Sequence, residues 1–428
     1  MTLFIGIDLG TSGCRAIAIN MHGDTVAESS VSTSPAICHK DGISEQDPEQ
    51  WWQAVQQVLA GLLEQIAGQH IIAISVDGTS STLLVCDLNG NPCQPGLMYN
   101  DSRSHRQSEL IARFAPPDSA AQGPSSSLAK LLYLHEQCPD AHYALHQADW
   151  VTAKLSGRYG ISDENNALKL GYQPISQQWP DWLSNLPVDR TLFPQVIPPA
   201  TVIAEIHPAL AKTLGINPHT KIVAGTTDST AAFIAAAGMD GQAVTSLGST
   251  LVTKVRAAHP ISSPAHGVYS HKLFDQWLVG GASNSGGAVL ASLFSIDEML
   301  TLSSMIKPES ETGFDFYPLL CAGERFPIAD PGFAPRMPDH IPEDLAERAW
   351  VFQGLLEGLS RIEAQAYRLL ESLGAPYPDS VLSAGGGSVN QAWSAIRQRY
   401  LKVPVKTAIH PHAAYGSALL ARRGVTGQ

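Results

Sequence analysis

Residues 3–20 read Leu-Phe-Ile-Gly-Ile-Asp-Leu-Gly-Thr-Ser-Gly-Cys-Arg-Ala-Ile-Ala-Ile-Asn, and the fold turns on this stretch. Leu3 to Asp8 and Cys14 to Asn20 are β-rich, and the glycines between them predict a strand, a tight turn and a returning strand. His22-Gly23-Asp24 offers a further turn, so the chain opens on an antiparallel meander. The same device is expected at Ile71 to Asp77 and Thr82 to Asp87 around Gly78, and again at Ala243 to Leu247 and Thr250 to Val255 around Gly248-Ser249. Leu9-Gly10-Thr11 matches Leu247-Gly248-Ser249 about 240 residues on, which points to two halves of similar design.

Helices alternate with these strands. Asp47 before Pro48 supplies an N-cap and a preset first turn, and Trp51, Val55, Val58, Leu59, Leu62, Leu63 and Ile66 form one apolar stripe. The spacing predicts a longer helix over 345–373, ended by Gly374 and Pro376. Segments around 116–126, 173–200, 257–266 and 327–343 are rich in Pro and polar residues and read as loops. The pattern is that of an α/β protein with mixed sheets, and 428 residues suffice for two or three domains.

Composition excludes several classes. Charged residues are 15% and apolar residues 44%, which describes a compact globular chain and not a disordered one. The net charge is 27 − 39 = −12 with no basic run to offset it, so nucleic acid is not an expected partner. Six cysteines without a C-x-x-C pair suggest reduced thiols in the cytoplasm. The N-terminus reads as a strand and not as a signal peptide, because no cationic region precedes its apolar stretch. No apolar run approaches the ~20 residues of a membrane span, so no membrane association is expected.

Three places can carry chemistry. Asp8 sits at a strand end beside a turn whose N–H groups and hydroxyls (Gly10, Thr11, Ser12) can face a phosphate, and it could hold Mg²⁺ through water. In isolation the motif reads first as an ordinary hairpin turn with an Asp cap. Asp228, in Gly225-Thr226-Thr227-Asp228-Ser229, falls between a strand and a small-residue helix, where the helix dipole favours a carboxylate ready to take a proton; the bland alternative is an N-cap. Gly385-Gly386-Gly387-Ser388-Val389-Asn390 lets backbone approach a ligand between a strand and a helix. It is neither the G-x-G-x-x-G fingerprint nor a G-x-x-x-x-G-K-[ST] loop. His142 and His146 are spaced as neighbours on a helical face with no third ligand, so they read as solvent-facing. Without a G-x-S-x-G elbow, a Ser-His-Asp hydrolase has no support.

Taken in order, these elements resemble the FGGY carbohydrate kinases of the actin-like ATPase superfamily. The resemblance rests on Gly6-Ile7-Asp8-Leu9-Gly10-Thr11-Ser12, Tyr99-Asn100-Asp101-Ser102-Arg103, Ala224 to Asp228, Ser246 to Thr250, Gly280 to Gly287, Gly385 to Gly387 and Ala413 to Ala418. It implies two ribonuclease H-like domains with a cleft between them: a sugar-binding domain of residues 1–228 plus 406–428, and an ATP-binding domain of residues 229–405. Asp228 would be the catalytic base. Gly10, Thr11, Ser12, Gly248 and Ser249 would bind the ATP phosphates, and Gly386, Gly387, Asn390 and Trp393 the adenosine. Asp8, Ser80, Ser81, Thr82 and Asp228 would face the sugar, with Asp8 and Asp228 near Mg²⁺. Thr79-Ser80-Ser81-Thr82 stands where xylulose kinases carry a Met-His pair, and the Arg-Glu typical of glycerol kinases is absent. The chain most resembles the short D-ribulose kinases. The expected activity is therefore transfer of the ATP γ-phosphate to the 5-hydroxyl of D-ribulose by a monomer or homodimer. D-Xylulose, L-ribulose and a non-catalytic sugar- or nucleotide-binding protein stand as alternatives.

Overall fold

The structure, a computed structural model, describes residues 1–38, 42–237 and 243–427. Strand Thr2–Leu9 pairs antiparallel with Gly13–Ile19, placing Asp8 opposite Arg15, and the Gly10 N–H closes the turn on the Gly13 carbonyl at 2.9 Å. Thr25–Ser32 completes the meander. On its other edge the opening strand receives His70–Gly78 in parallel, followed by Lys221–Val223 in parallel and Val202–Glu205 antiparallel.

Both faces of this sheet are covered, which explains its continuous apolar strands. Leu3, Ile5, Ile7 and Leu9 share a core with Trp51, Val55, Val58, Leu59 and Leu62 of helix Pro48–Gln65. That helix starts as expected, with the Asp47 carboxylate accepting from the Glu49 N–H at 3.0 Å. The alternate residues Gly6 and Asp8 face the last helix, Ala413–Thr426. A Cβ on Gly6 would lie 1.9 Å from the Ala414 carbonyl oxygen, and one on Gly416 would lie 2.0 Å from that of Ala231. The last helix is thus wedged between the opening strand and helix Asp228–Ala237, where only glycine fits on either side.

The second unit repeats the plan. Its sheet places Gln276–Ala282, Leu251–Ala257, Ala243–Leu247, Val381–Ala384 and Val405–Thr407 in the order and senses of Thr25–Ser32, Gly13–Ile19, Thr2–Leu9, His70–Gly78 and Lys221–Val223. Tyr269–Leu273 is added at one edge. The expected likeness of the two halves is therefore real, and the long helix, Leu345–Ser372, lies within one residue of its predicted end.

Two expectations change. Residues 71–87 do not form a hairpin: His70–Gly78 stays in the first sheet, whereas Leu83–Cys86 joins a separate sheet beside Gly96–Leu97 and Tyr143–His146. A tight turn from the Thr82 N–H to the Thr79 carbonyl, with Ser81 at φ 73°, swings the chain away. The units also divide elsewhere. One takes in the described residues up to Ala237 together with His412 onward, the other Ala243 to Pro411, instead of breaks after Asp228 and Val405. Helix Asp228–Ala237 belongs with the first unit because the last helix packs directly on it. No single helix among the described residues is long and apolar enough to cross a membrane.

Candidate active site

Three parallel strands of the first unit deliver their carboxyl ends to one edge, the place where open α/β sheets bind ligands. Asp8 and Asp77 are register partners there, and a bridge between Gly78 and Thr227 brings the start of helix Asp228–Ala237 beside them. Asp77 is completely buried; its Oδ2 accepts the Ser417 hydroxyl at 2.6 Å, while its Oδ1 finds no donor. Burial, followed by the charge of Asp8, holds the Asp77 carboxyl well above the usual carboxylate range. Asp8 is pushed up to about 6, first by burial and further by Asp228, against the opposing hydrogen bond from Asp77 and the charge of Arg15. Two adjacent carboxyls can share a hydrogen bond only when one is protonated, and the more buried Asp77 is the natural holder of that proton.

Asp228 is half-buried at the first turn of its helix, and its Oδ1 accepts the Ser229 N–H at 2.6 Å. The turn before it is fixed by Asn165 Nδ2 donating to Thr226 Oγ1 and by the Thr227 hydroxyl donating to that of Thr230, both at 3.0 Å. This leaves a carboxylate on a rigid support, able to take a proton from a hydroxyl brought to it. The Gly10 to Ser12 turn lies at the tip of the opening hairpin, with Thr11 and Ser12 exposed.

Loop 79–82 follows Asp77 directly. Ser80 is partly exposed, but Ser81 and Thr82 are not free to meet a ligand with their hydroxyls as expected. Thr82 bonds to the Thr79 hydroxyl at 2.5 Å, and Ser81 donates to the Ser125 carbonyl at 2.8 Å. His146 is also not solvent-facing. It ends a strand, completely buried, between Asp149 and Ser127.

In the second unit, Gly248 and Ser249 form the hairpin tip equivalent to Gly10 to Ser12. With Gly386, Gly387 and Asn390 they line a cavity of about 740 Å³, a size suited to a small organic ligand. Two glycines of the triplet are required by the structure: Gly385 turns at φ 82°, and a Cβ on Gly387 would meet the Trp393 ring at 2.5 Å, whereas Gly386 faces open space. Asn390 caps helix Gln391–Leu401 and donates to Ser303 Oγ at 2.9 Å. Trp393 is buried behind Gly387, its indole N–H on Ser360 Oγ at 3.2 Å, so it forms the floor of the cavity instead of an exposed flank. Ile296, Leu300 and Val389, each at least 66% exposed, supply the apolar wall.

Sequence reasoning missed Asp77, whose signal was present: an acid near a strand end with a glycine close behind, Asp77-Gly78 as in Asp8-Leu9-Gly10. It missed Ile296 and Leu300 because an apolar helix face exposed to a cavity has the same pattern as one facing a core.

The FGGY family of carbohydrate kinases supplies the match for both units, its N-terminal domain over residues 3–235 and its C-terminal domain over 243–425. The xylulose kinase of Escherichia coli K12 is 25% identical over 91% of this chain and 83% of its own length, and that of Staphylococcus xylosus 25% over 99% and 91%. Among solved structures, a ligand-bound xylulose kinase and a gluconate kinase, both from Lactobacillus acidophilus, each superpose with TM-score 0.86 at 21% identity, over 100% of this chain and 90% of theirs. The two-domain α/β fold thus has its explanation: the chain belongs to the FGGY family of carbohydrate kinases and is a sugar kinase.

Proposed function

We propose that this kinase transfers the γ-phosphate of ATP to the 5-hydroxyl of D-ribulose, giving D-ribulose 5-phosphate. The observation that carries the reading is the convergence of Asp8, Asp77 and Asp228 on one sheet edge beside loop 79–82. Asp228 takes the proton of the attacking hydroxyl as the new O–P bond forms. The bond from phosphorus to the β–γ bridging oxygen breaks, and its electron pair leaves with ADP. Asp8 accepts a hydrogen bond from another sugar hydroxyl and is held in place by Asp77. The N–H groups and hydroxyls of Gly10, Thr11, Ser12, Gly248 and Ser249 offer donors to the phosphates. The adenosine occupies the second unit's cavity, with its base on Ile296, Leu300 and Val389.

The described residues hold no group of three His, Cys, Asp or Glu placed to bind a metal ion, but Mg²⁺ needs only one or two carboxylates beside waters and phosphate oxygens, and Asp8 and Asp228 are near enough to raise each other's charge cost. Asp8 and Asp228 would hold it, partly through water, and it would draw negative charge from the transferring group. The free thiols of Cys14, Cys86, Cys93, Cys138 and Cys321 accord with a cytoplasmic enzyme.

D-Ribulose is favoured because loop 79–82 carries small residues in place of a Met-His pair and presents only the partly exposed Ser80, the hydroxyls of Thr79, Ser81 and Thr82 being taken up within the protein. D-Xylulose is the second reading, favoured by the names of the curated relatives. A coupled ADP assay with Mg·ATP decides: D-ribulose, D-xylulose, L-ribulose, L-xylulose and glycerol are compared with a sugar-free control. Selective stimulation by D-ribulose is expected. Selective stimulation by another sugar would reassign the acceptor, and no ADP from any mixture would favour a binding protein.

A further inference from the structure

We infer that Lys130 is a positioning residue for the sugar acceptor, holding the 79–82 backbone from beneath together with Ser127 and His146; this rests on the proposed reading of that loop as an acceptor contact. Lys130 lies in the first turn of helix Ser127–Gln137 and is completely buried. Its ammonium donates to three main-chain carbonyls: Ser81 at 2.8 Å, Met98 at 2.7 Å and Tyr99 at 3.3 Å. Three hydrogens meet three acceptors, so the site is built for the cation. A buried lysine is uncommon, and this one is bonded to loop backbone from two segments and to no carboxylate.

The Ser81 it grips has φ 73°, a left-handed conformation that a residue with a Cβ adopts only when its surroundings impose it. The side chain of Ser81 is gripped as well. Its hydroxyl meets Ser125 O at 2.8 Å and Ser127 Oγ at 3.2 Å; Ser127 Oγ lies 3.0 Å from His146 Nε2, and His146 Nδ1 lies 3.0 Å from Asp149 Oδ2. The Asp-His-Ser series looks like a hydrolase relay, but Ser127 and His146 are completely buried and reach no solvent. Its geometry serves instead to hold Ser81. Main chain and side chain of one strained residue are thus fixed from one helix, which sets the direction of the partly exposed Ser80 and the exit of the chain from Asp77. Burial pushes the Lys130 ammonium down to about 7, against the pull of Asp101; it is the three carbonyl contacts that tie the side chain to the loop.

The test measures KM for the stimulating sugar, KM for Mg·ATP, kcat and the melting temperature in wild type, Lys130→Met, Ser127→Ala and Leu62→Ala. Leu62 is a fully buried core residue of helix Pro48–Gln65 that makes no hydrogen bond to loop 79–82, and it serves as the stability control. Lys130→Met is expected to raise the sugar KM about tenfold or more and Ser127→Ala about threefold, with Mg·ATP KM within about twofold of wild type. Leu62→Ala should lower the melting temperature without moving the sugar KM. A folded Lys130→Met enzyme with wild-type sugar KM would overturn the inference, as would a sugar KM that rises equally in Leu62→Ala. If Lys130→Met does not fold, Ser127→Ala decides by the same criterion. A wild-type protein that no sugar stimulates would overturn the acceptor reading, and the inference with it; a stimulated wild type with unaffected variants overturns the inference alone.

Discussion

Ser417 donates its hydroxyl to Asp77 Oδ2 at 2.6 Å, joining residues 340 positions apart in the chain. The contact exists because the last helix returns to the first unit and is pressed onto the opening strand at Gly6. Ser417→Ala would leave that oxygen of a wholly buried carboxyl without its donor, at a cost of about 1–3 kcal/mol. A melting temperature lowered by several degrees, with reduced sugar-dependent turnover, is expected from thermal melts and the ADP assay. An unchanged melt would show that the bond contributes no net stability.

Asp8 makes the opposite contribution. Its folded pKa of about 6 exceeds the ordinary 3.8, so between these values the folded chain holds a proton that the unfolded chain has released. Stability therefore falls as pH rises from about 4 to about 6, and the full penalty stands at pH 7, at most roughly 3 kcal/mol. Asp8→Asn removes it: the variant should resist urea better than wild type at pH 7, equal it near pH 4, and lose activity. Such a trade of stability for function is common at active sites. A gain independent of pH would refute the assigned cause.

Asp228→Asn keeps the shape of the side chain and removes its basicity. A loss of at least ~10²-fold in kcat is expected, the usual scale for a general base, with an unaltered circular dichroism spectrum. Turnover at the wild-type rate would remove Asp228 from the chemistry.

Much of this was legible in the sequence because local signals agreed. The hairpin at Leu3 to Asn20, the capped helix after Asp47 and the glycine triplet each carry their own turn or cap residues, and each forms as read. What failed depended on long-range partners. Residues 71–87 look like a hairpin until Lys130 and Ser127, about 50 residues on, pull Ser81 out of register. His146 has the spacing of an exposed helix face but lies in a buried strand, because its polar atoms are satisfied by Asp149 and Ser127. Trp393 lines the cavity, but as its floor, because Gly387 has no Cβ and lets the ring lie beneath the loop.

The second unit offers a test of how the loops proposed to bind nucleotide are held. Arg397 and Glu363 form a completely buried two-pronged pair at 2.7 Å, which also engages Ser383 through Arg397 at 2.6 Å and Thr245 through Glu363 at 2.6 Å. Thr245 and Ser383 are register partners on the parallel strands that lead to Gly248 and Gly385. Arg397→Met strands the Glu363 charge and should cost about 3–5 kcal/mol in urea unfolding, whereas Arg397→Met with Glu363→Leu should recover most of that loss, since a well-packed apolar pair often equals a buried ion pair. The double variant would still lack the side chains that tie Thr245 to Ser383. Its ADP affinity, measured by calorimetry, should therefore remain below wild type while its stability returns; recovery of both together would show that strand pairing alone positions the loops.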